Sequence, residues 1–213
     1  MKILILGAAG QVSKMLRQRI LDETDHSLVL YARHADQRLS IQDTKRETII
    51  SGDFQEYDKL IKAMDEVDFV YLNDMNRSAD TLNIVNAMKE AGVNTIVGAN
   101  ILGIYDEVVG EFGKWNARMV GEASTNRSRQ AADVLEDSNL SYTILRLTWL
   151  YNGEDNENYQ ISDKGEPFIG AEVSRQAVTR LVMDIIQSPD GYANRSLGVS
   201  EPNTDWPKPS FYR

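Results

Sequence analysis

The chain has 213 residues and no cysteine, and its 23 Lys and Arg against 32 Asp and Glu leave a formal net charge of −9. With a pI near 4.8 and no basic block, it lacks the clustered cations that nucleic-acid backbones and anionic lipid surfaces demand, so neither partner is expected. Lack of cysteine excludes disulfides, thiolate nucleophiles and Cys-ligated zinc. No apolar run approaches the ~20 residues of a membrane span. The first apolar residues read as a strand rather than a signal segment, which makes a soluble, cytoplasmic protein the expectation.

The elements alternate from the start. Leu4–Leu6 is a short aliphatic strand, followed by the turn Gly7-Ala8-Ala9-Gly10 and an amphipathic helix carrying Val12, Met15, Leu16 and Ile20 at helical spacing. Further strands fall at Leu28–Tyr31, Thr48–Ile50, Phe69–Leu72, Thr95–Val97 and Tyr142–Leu145. Helices are expected at 57–64 and 81–91, with one longer helix from about Gly113 to Glu136. Continuous β-branched runs, rather than alternating ones, suit strands covered on both faces. Strand–helix alternation of this kind predicts an α/β, Rossmann-like doubly wound parallel sheet with helices on both faces, formed by one domain over residues 1–213.

The last third is patterned differently. Asn158–Ile169, with Gly165 and Pro167, reads as a loop or small hairpin. Val173 to Ile186 marks one amphipathic helix, stopped by Pro189 and Gly191. Ser196–Val199 is expected as an edge strand. The tail, with Pro202, Pro207 and Pro209, cannot be helical and is expected to be extended and docked through Trp206 and Phe211. Residues 151–213 are thus expected to form a small substrate-side extension over the carboxyl ends of the strands.

A strand, a glycine turn and a helix start form a dinucleotide-binding signature. Gly7 permits the tight turn, Gly10 lets backbone approach a diphosphate, and the following helix offers free N–H groups to the anion. Ser13 stands where a third glycine would bring helix and strand close, which predicts a slightly wider separation. At the end of the second strand, Arg33 stands where an acid would bind the ribose of NAD(H). A guanidinium there matches a 2′-phosphate, so NADP(H) is favoured over NAD(H). Asp53 and Phe54, after the third strand, suit an adenine amino group and ring. A turn that caps the next helix is the alternative for Asp53.

The order Gly7-x-x-Gly10, Arg33, Gly52-Asp53, Tyr142-Thr143-Ile144-Leu145-Arg146 and Ser174-Arg175 resembles the atypical short-chain dehydrogenase/reductase group, the NAD(P)H-binding proteins related to NmrA regulators and to flavin or biliverdin reductases. The resemblance covers nearly the whole chain. It implies nucleotide contacts at Gly7, Ala9, Gly10, Gln11, Val12, Arg33, Asp53 and Phe54, at Asn73 after the fourth strand, and at Ala99 and Asn100 after the fifth. Conventional members add a serine, a tyrosine and a lysine. Here Val97–Asn100, Thr125 and Arg129 stand in those places. An alkyl hydroxyl is too weak an acid to replace a phenol, and a guanidinium does not shuttle protons.

Tyr105 and Arg129 are therefore the catalytic candidates, with Tyr151 on the substrate side. The alternative for Tyr105 is a loop aromatic packed on the core edge. His26 and His34 stand apart from any carboxylate set with ligand spacing, so no metal site is expected. Two functions fit: an NADPH-dependent reductase of a flavin, quinone or similar small acceptor, or a non-catalytic NmrA-like nucleotide sensor.

Overall fold

A computed structural model describes residues 1–212. Six parallel strands form the centre: β1 (Lys2–Leu6), β2 (Ser27–Ala32), β3 (Glu47–Ser51), β4 (Phe69–Leu72), β5 (Thr95–Ile101) and β6 (Ser141–Leu147). With β10 (Arg195–Ser200) and β8 (Gln160–Ser162) they order as β3-β2-β1-β4-β5-β6-β10-β8, and only β8 is antiparallel to its neighbour. The doubly wound α/β sheet expected from the sequence is the one formed.

Its inner strands carry continuous apolar runs because both faces are covered. One face packs Ile3, Ile5, Leu28 and Leu30 under α1 (Gln11–Glu23) and α7 (Arg175–Gln187). The other packs Leu4, Leu6, Val29 and Val70 under α3 (Tyr57–Ala63), α4 (Ser78–Ala91) and α6 (Glu122–Glu136). The short α2 (Ala35–Arg38) follows β2, and α5 (Gly110–Val120) follows β5.

Four differences from the sequence reading have physical causes. The long helix expected over 113–136 is two helices, because Gly121 at φ +76°, ψ 148° takes a backbone conformation that ends α5 and opens α6. Ser196–Val199 lies in an interior strand, since β8 pairs outside β10. Val173 belongs to β9 (Glu172–Ser174), which pairs in parallel with β7 (Trp149–Tyr151) in a separate two-stranded sheet. Finally, residues 151–213 are not all cover: β8 and β10 extend the main sheet and α7 lies beside α1. The parts that remain at the carboxyl edge are β7, β9 and the tail beyond β10.

Two buried ion pairs lock the loops. Arg17 on α1 grips both oxygens of Glu47, which also accepts from the Gln42 and Asp43 amides and so fixes the α2–β3 connection. Arg146 on β6 binds Glu107 at 2.7 Å, with both side chains buried. Glu107 in turn accepts from the Gly103 and Tyr105 amides. Ser13 is fully buried and its hydroxyl has no partner, a residual cost of placing serine at the position where glycine closes helix on strand.

Candidate functional site

In this strand order the direction of winding reverses between β1 and β4, and open α/β sheets place their ligand crevice at that switch point. The crevice is present. A cavity of about 520 Å³ opens at the carboxyl ends of β1–β4, lined among others by Gly7, Gly10, Arg33, Asp53, Phe54 and Asn73. Six of the sequence-predicted nucleotide residues thus meet in one place, and Ala9 lines it as well.

The floor is built by the first turn. Gly7 sits at φ +82°, and its amide and that of Ala8 bond to the Tyr31 carbonyl, which ties the turn to β2. Among the described residues, no protein group accepts from the N–H groups of Ala9, Gln11 or Val12. The first turn of α1 carries no acidic side chain, and Gly10 as N-cap supplies none of its own. A row of bare amides at the positive end of a 13-residue helix is an anion site. Val12 offers the crevice only its backbone, since its side chain is buried in the core, whereas Gln11 is exposed.

Gly10 has a second reason to be glycine. A Cβ there would collide with the side-chain amide of Asn73, and at Gly7 it would crowd the Asn73 Cβ. Asn73, accepting from Tyr71 Oη at 3.4 Å, leans across both glycines and joins the end of β4 to the turn.

The side of the crevice toward the sheet edge is shaped by β2 and β3. Phe54 lies over Tyr31, the rings 6.2 Å apart and 18° from parallel, and its other face is half-exposed beside the crevice. Tyr31 in turn bonds the Asp53 carbonyl at 2.7 Å. Asp53 is not the N-cap of α3, a position held by Glu56. Its carboxylate accepts from the Gln55 amide and its own amide donates to Glu56, which makes a reciprocal turn just before the helix. The capping alternative is therefore realised as a turn one residue pair upstream, with the Asp53 side chain still at the crevice.

Charge in the crevice is arranged unequally. Arg33 and Arg38 both line it and, among the described residues, neither pairs with a carboxylate. His34, held left-handed at φ 52°, turns the chain out of β2 into α2 and leaves Arg33 exposed at the rim. The nearby acid is diverted: the Asp36 carboxylate bonds Ser51 Oγ, which holds its pKa below the usual carboxylate value. Asp80 is occupied by Gln55 and faces Arg77 at 3.7 Å. Burial and the proximity of Asp80 push the Asp74 carboxyl up.

Five predicted residues lie elsewhere. Ala99 and Asn100 are buried inside the sheet. The Ala99 carbonyl bonds the Met75 amide, while the Asn100 side chain joins the Ser128 carbonyl to the Ile101 amide, so both fasten β5 to its neighbours. Tyr105 does not face the crevice. The loop after β5 folds back along the α6 face, and its hydroxyl donates to Glu136 at 2.6 Å near the end of that helix. Burial and Glu136 raise its pKa far above the ordinary phenol value. Arg129 clamps the same loop through the Ile104 carbonyl and Asp106. Tyr151 bonds Glu201 at 2.6 Å. Sequence reasoning missed Arg38 and the diversion of Asp36, which depend on how α2 leaves the strand.

A doubly wound sheet, a glycine turn at its switch point and an anion-binding helix start together define a dinucleotide-binding domain. The family model described as NAD(P)H-binding matches residues 7–189, and the chain belongs to that family. At 36% identity and a TM-score of 0.95, over 99% of each chain, it is similar to a short-chain dehydrogenase/reductase from Veillonella parvula solved in complex with NADP. At 32% identity and a TM-score of 0.82, over 99% of this chain and 98% of the other, it is similar to a Rossmann-fold NAD(P)-binding family protein from Shigella flexneri. An anaerobilin reductase from Escherichia coli O157:H7 shares the fold, with 19% identity, a TM-score of 0.77 and coverage of 95% and 98%. No curated protein matches. The resemblance to the atypical short-chain dehydrogenase/reductase group is borne out. None of the described helices is long and apolar enough to cross a membrane.

Proposed function

We propose that the chain is a cytoplasmic NADPH-dependent oxidoreductase that reduces a flavin, quinone or similar small acceptor without the Ser-Tyr-Lys set. The observation that carries the cofactor preference is the crevice rim, where among the described residues Arg33 and Arg38 pair with no carboxylate, Arg38 donating only to the Arg33 carbonyl, while Asp36 is bound to Ser51. A ribose diol needs an acceptor there and would find donors. A 2′-phosphate finds two guanidinium groups.

The cradle residues fit the group. Ala9, Gln11 and Val12 amides would hold the diphosphate, Asn73 would close the turn over it, and Phe54 with Asp53 would cover the adenine. Bound NADPH supplies hydride, so that NADPH, one proton and an oxidised acceptor yield NADP⁺ and the reduced acceptor. A flavin or quinone takes its proton readily from solvent, which suits a chain whose Tyr105 and Arg129 are committed to a loop clamp.

That same commitment favours a second reading, an NmrA-like sensor that binds the nucleotide without turning it over. Loss of reduced-nicotinamide absorbance with a panel of quinones, flavins and aldehydes separates the two. The reductase reading predicts turnover with quinones or flavins and little with aldehydes. Intact NADPH binding with no turnover on any of them would establish the sensor.

A further inference from the structure

A second cluster of chemistry lies at the same sheet edge. Strands β5 and β6 run parallel to β1, so the segments leaving them emerge beside the crevice, β6 about 14 Å from β1 at three strand spacings. Trp115 comes from α5 and Trp149 from the first residue after the β6 connection. Their rings are 4.9 Å apart and inclined at 59°. Trp149 is held in place by its indole N–H, which donates to Asn116 at 2.9 Å.

Into this angle the tail inserts Tyr212. Its ring stands edge-on to both indoles, 5.0 Å from Trp115 and 5.1 Å from Trp149. Among the described residues no group bonds its hydroxyl, so ring contacts hold the side chain, while a turn bond from its amide to the Pro209 carbonyl at 3.1 Å holds the backbone. Phe211 beside it is 44% exposed and lies over Tyr151. Trp206, expected together with Phe211 to dock the tail, is 40% exposed, so Tyr212 rather than either of them is the inserted ring. The tail is latched further back: buried Glu172 on β9 accepts from the Ser210 amide at 2.6 Å and from its hydroxyl at 3.0 Å. Beyond that latch the chain belongs to no strand or helix, and moving it breaks no ladder.

We infer that Trp115, Trp149 and Tyr151 form the acceptor subsite, that its ligand is a planar aromatic ring system, and that Tyr212 occupies the subsite as a displaceable plug. The inference rests on the reductase reading for the word acceptor, but the ring pocket stands without it. Two indoles at an open angle offer a flat ring both an edge and a face contact. A pocket that its own tail must vacate binds its ligand more weakly in proportion to the fraction of time it is open.

The test is a binding measurement. With Trp206→Phe as background, emission comes from Trp115 and Trp149, since the chain has three tryptophans, and menadione is titrated as quencher. Tyr212→Ala, and separately a chain ending at Phe211, are expected to tighten menadione binding about tenfold, the worth of two lost ring contacts. Tyr212→Phe keeps the ring and should match the parent, and NADPH affinity should be the same in all four proteins. Unchanged or weaker menadione binding in both the alanine variant and the shortened chain would overturn the plug. Tightened binding without NADPH oxidation would leave the pocket standing and remove only the reductase reading.

Discussion

Arg33→Ala tests the 2′-phosphate argument at its source. The guanidinium is exposed at the rim and has no carboxylate to release, so its loss disturbs no internal pair. A phosphate carrying nearly two charges, about 4 Å away, gains ~1 kcal/mol per unit charge in bulk water and several times that near a protein surface. Screening and solvent at an open rim favour the low end. A loss of about 1.4 kcal/mol, tenfold in Kd, is the expected result for NADPH. NADH, with no phosphate at that place, should change by less than about twofold on the same reasoning. Arg33→Ala combined with Arg38→Ala should approach a hundredfold, and Arg33→Glu should make NADH the tighter ligand. Calorimetric titration of both dinucleotides at low and high salt reads all of this, with the wild-type preference shrinking as salt rises. Equal affinity of the wild-type protein for the two, or an equal loss of both in Arg33→Ala, would refute the reasoning.

Three further outcomes follow from the packing. Glu47→Gln breaks a buried pair and leaves Arg17 uncompensated, which should cost about 3–5 kcal/mol in urea unfolding. Burial alone would raise the Glu47 carboxyl, but the Arg17 bond and the Gln42 and Asp43 amides outweigh it and hold the pKa below the usual value. Its contribution is therefore full above the unfolded-state pKa and lost as pH falls through the folded one, and the variant should show a shallower acid destabilisation. Gly121→Ala meets no atom with its Cβ yet must adopt φ +76°. A cost of about 1–3 kcal/mol is expected from backbone alone, and an unchanged urea midpoint would contradict the helix-break account. Tyr105→Phe should leave NADPH affinity unaltered and retain most acceptor turnover. Collapse of turnover with intact binding would return Tyr105 to the chemistry.

The central sheet was readable because β1, β2, β4, β5 and β6 each carry a compact apolar run, which burial on both faces demands, while the edge strand β3 shows only the pair Ile49-Ile50. The glycine turn was readable because its conformation and its neighbour leave little choice of residue. The elements that escaped obey other rules. Strand β8 is three residues at an edge, two of them polar and the third, Ile161, exposed, and only its pairing to β10 makes it a strand. Gly121 sits inside a helical pattern, where one glycine is tolerated, and only its positive φ reveals the break. Tyr105 and Arg129 stood at plausible chain positions, but a loop that doubles back takes its side chains away from the edge where its strand ends. Asn73 could be placed after β4, yet nothing in its surroundings in sequence announces that it rests on Gly7 and Gly10. Such contacts belong to the tertiary packing of distant segments, and a local pattern carries no trace of them.

Whether bare amides at the start of α1 hold a diphosphate is best asked of those amides themselves. In a ¹H–¹⁵N spectrum titrated with NADPH, the account predicts that Ala9, Gln11 and Val12 shift most strongly, moving downfield as they gain a charged acceptor. Saturable binding that leaves these three resonances in place, with the principal shifts on another edge of the sheet, would contradict it.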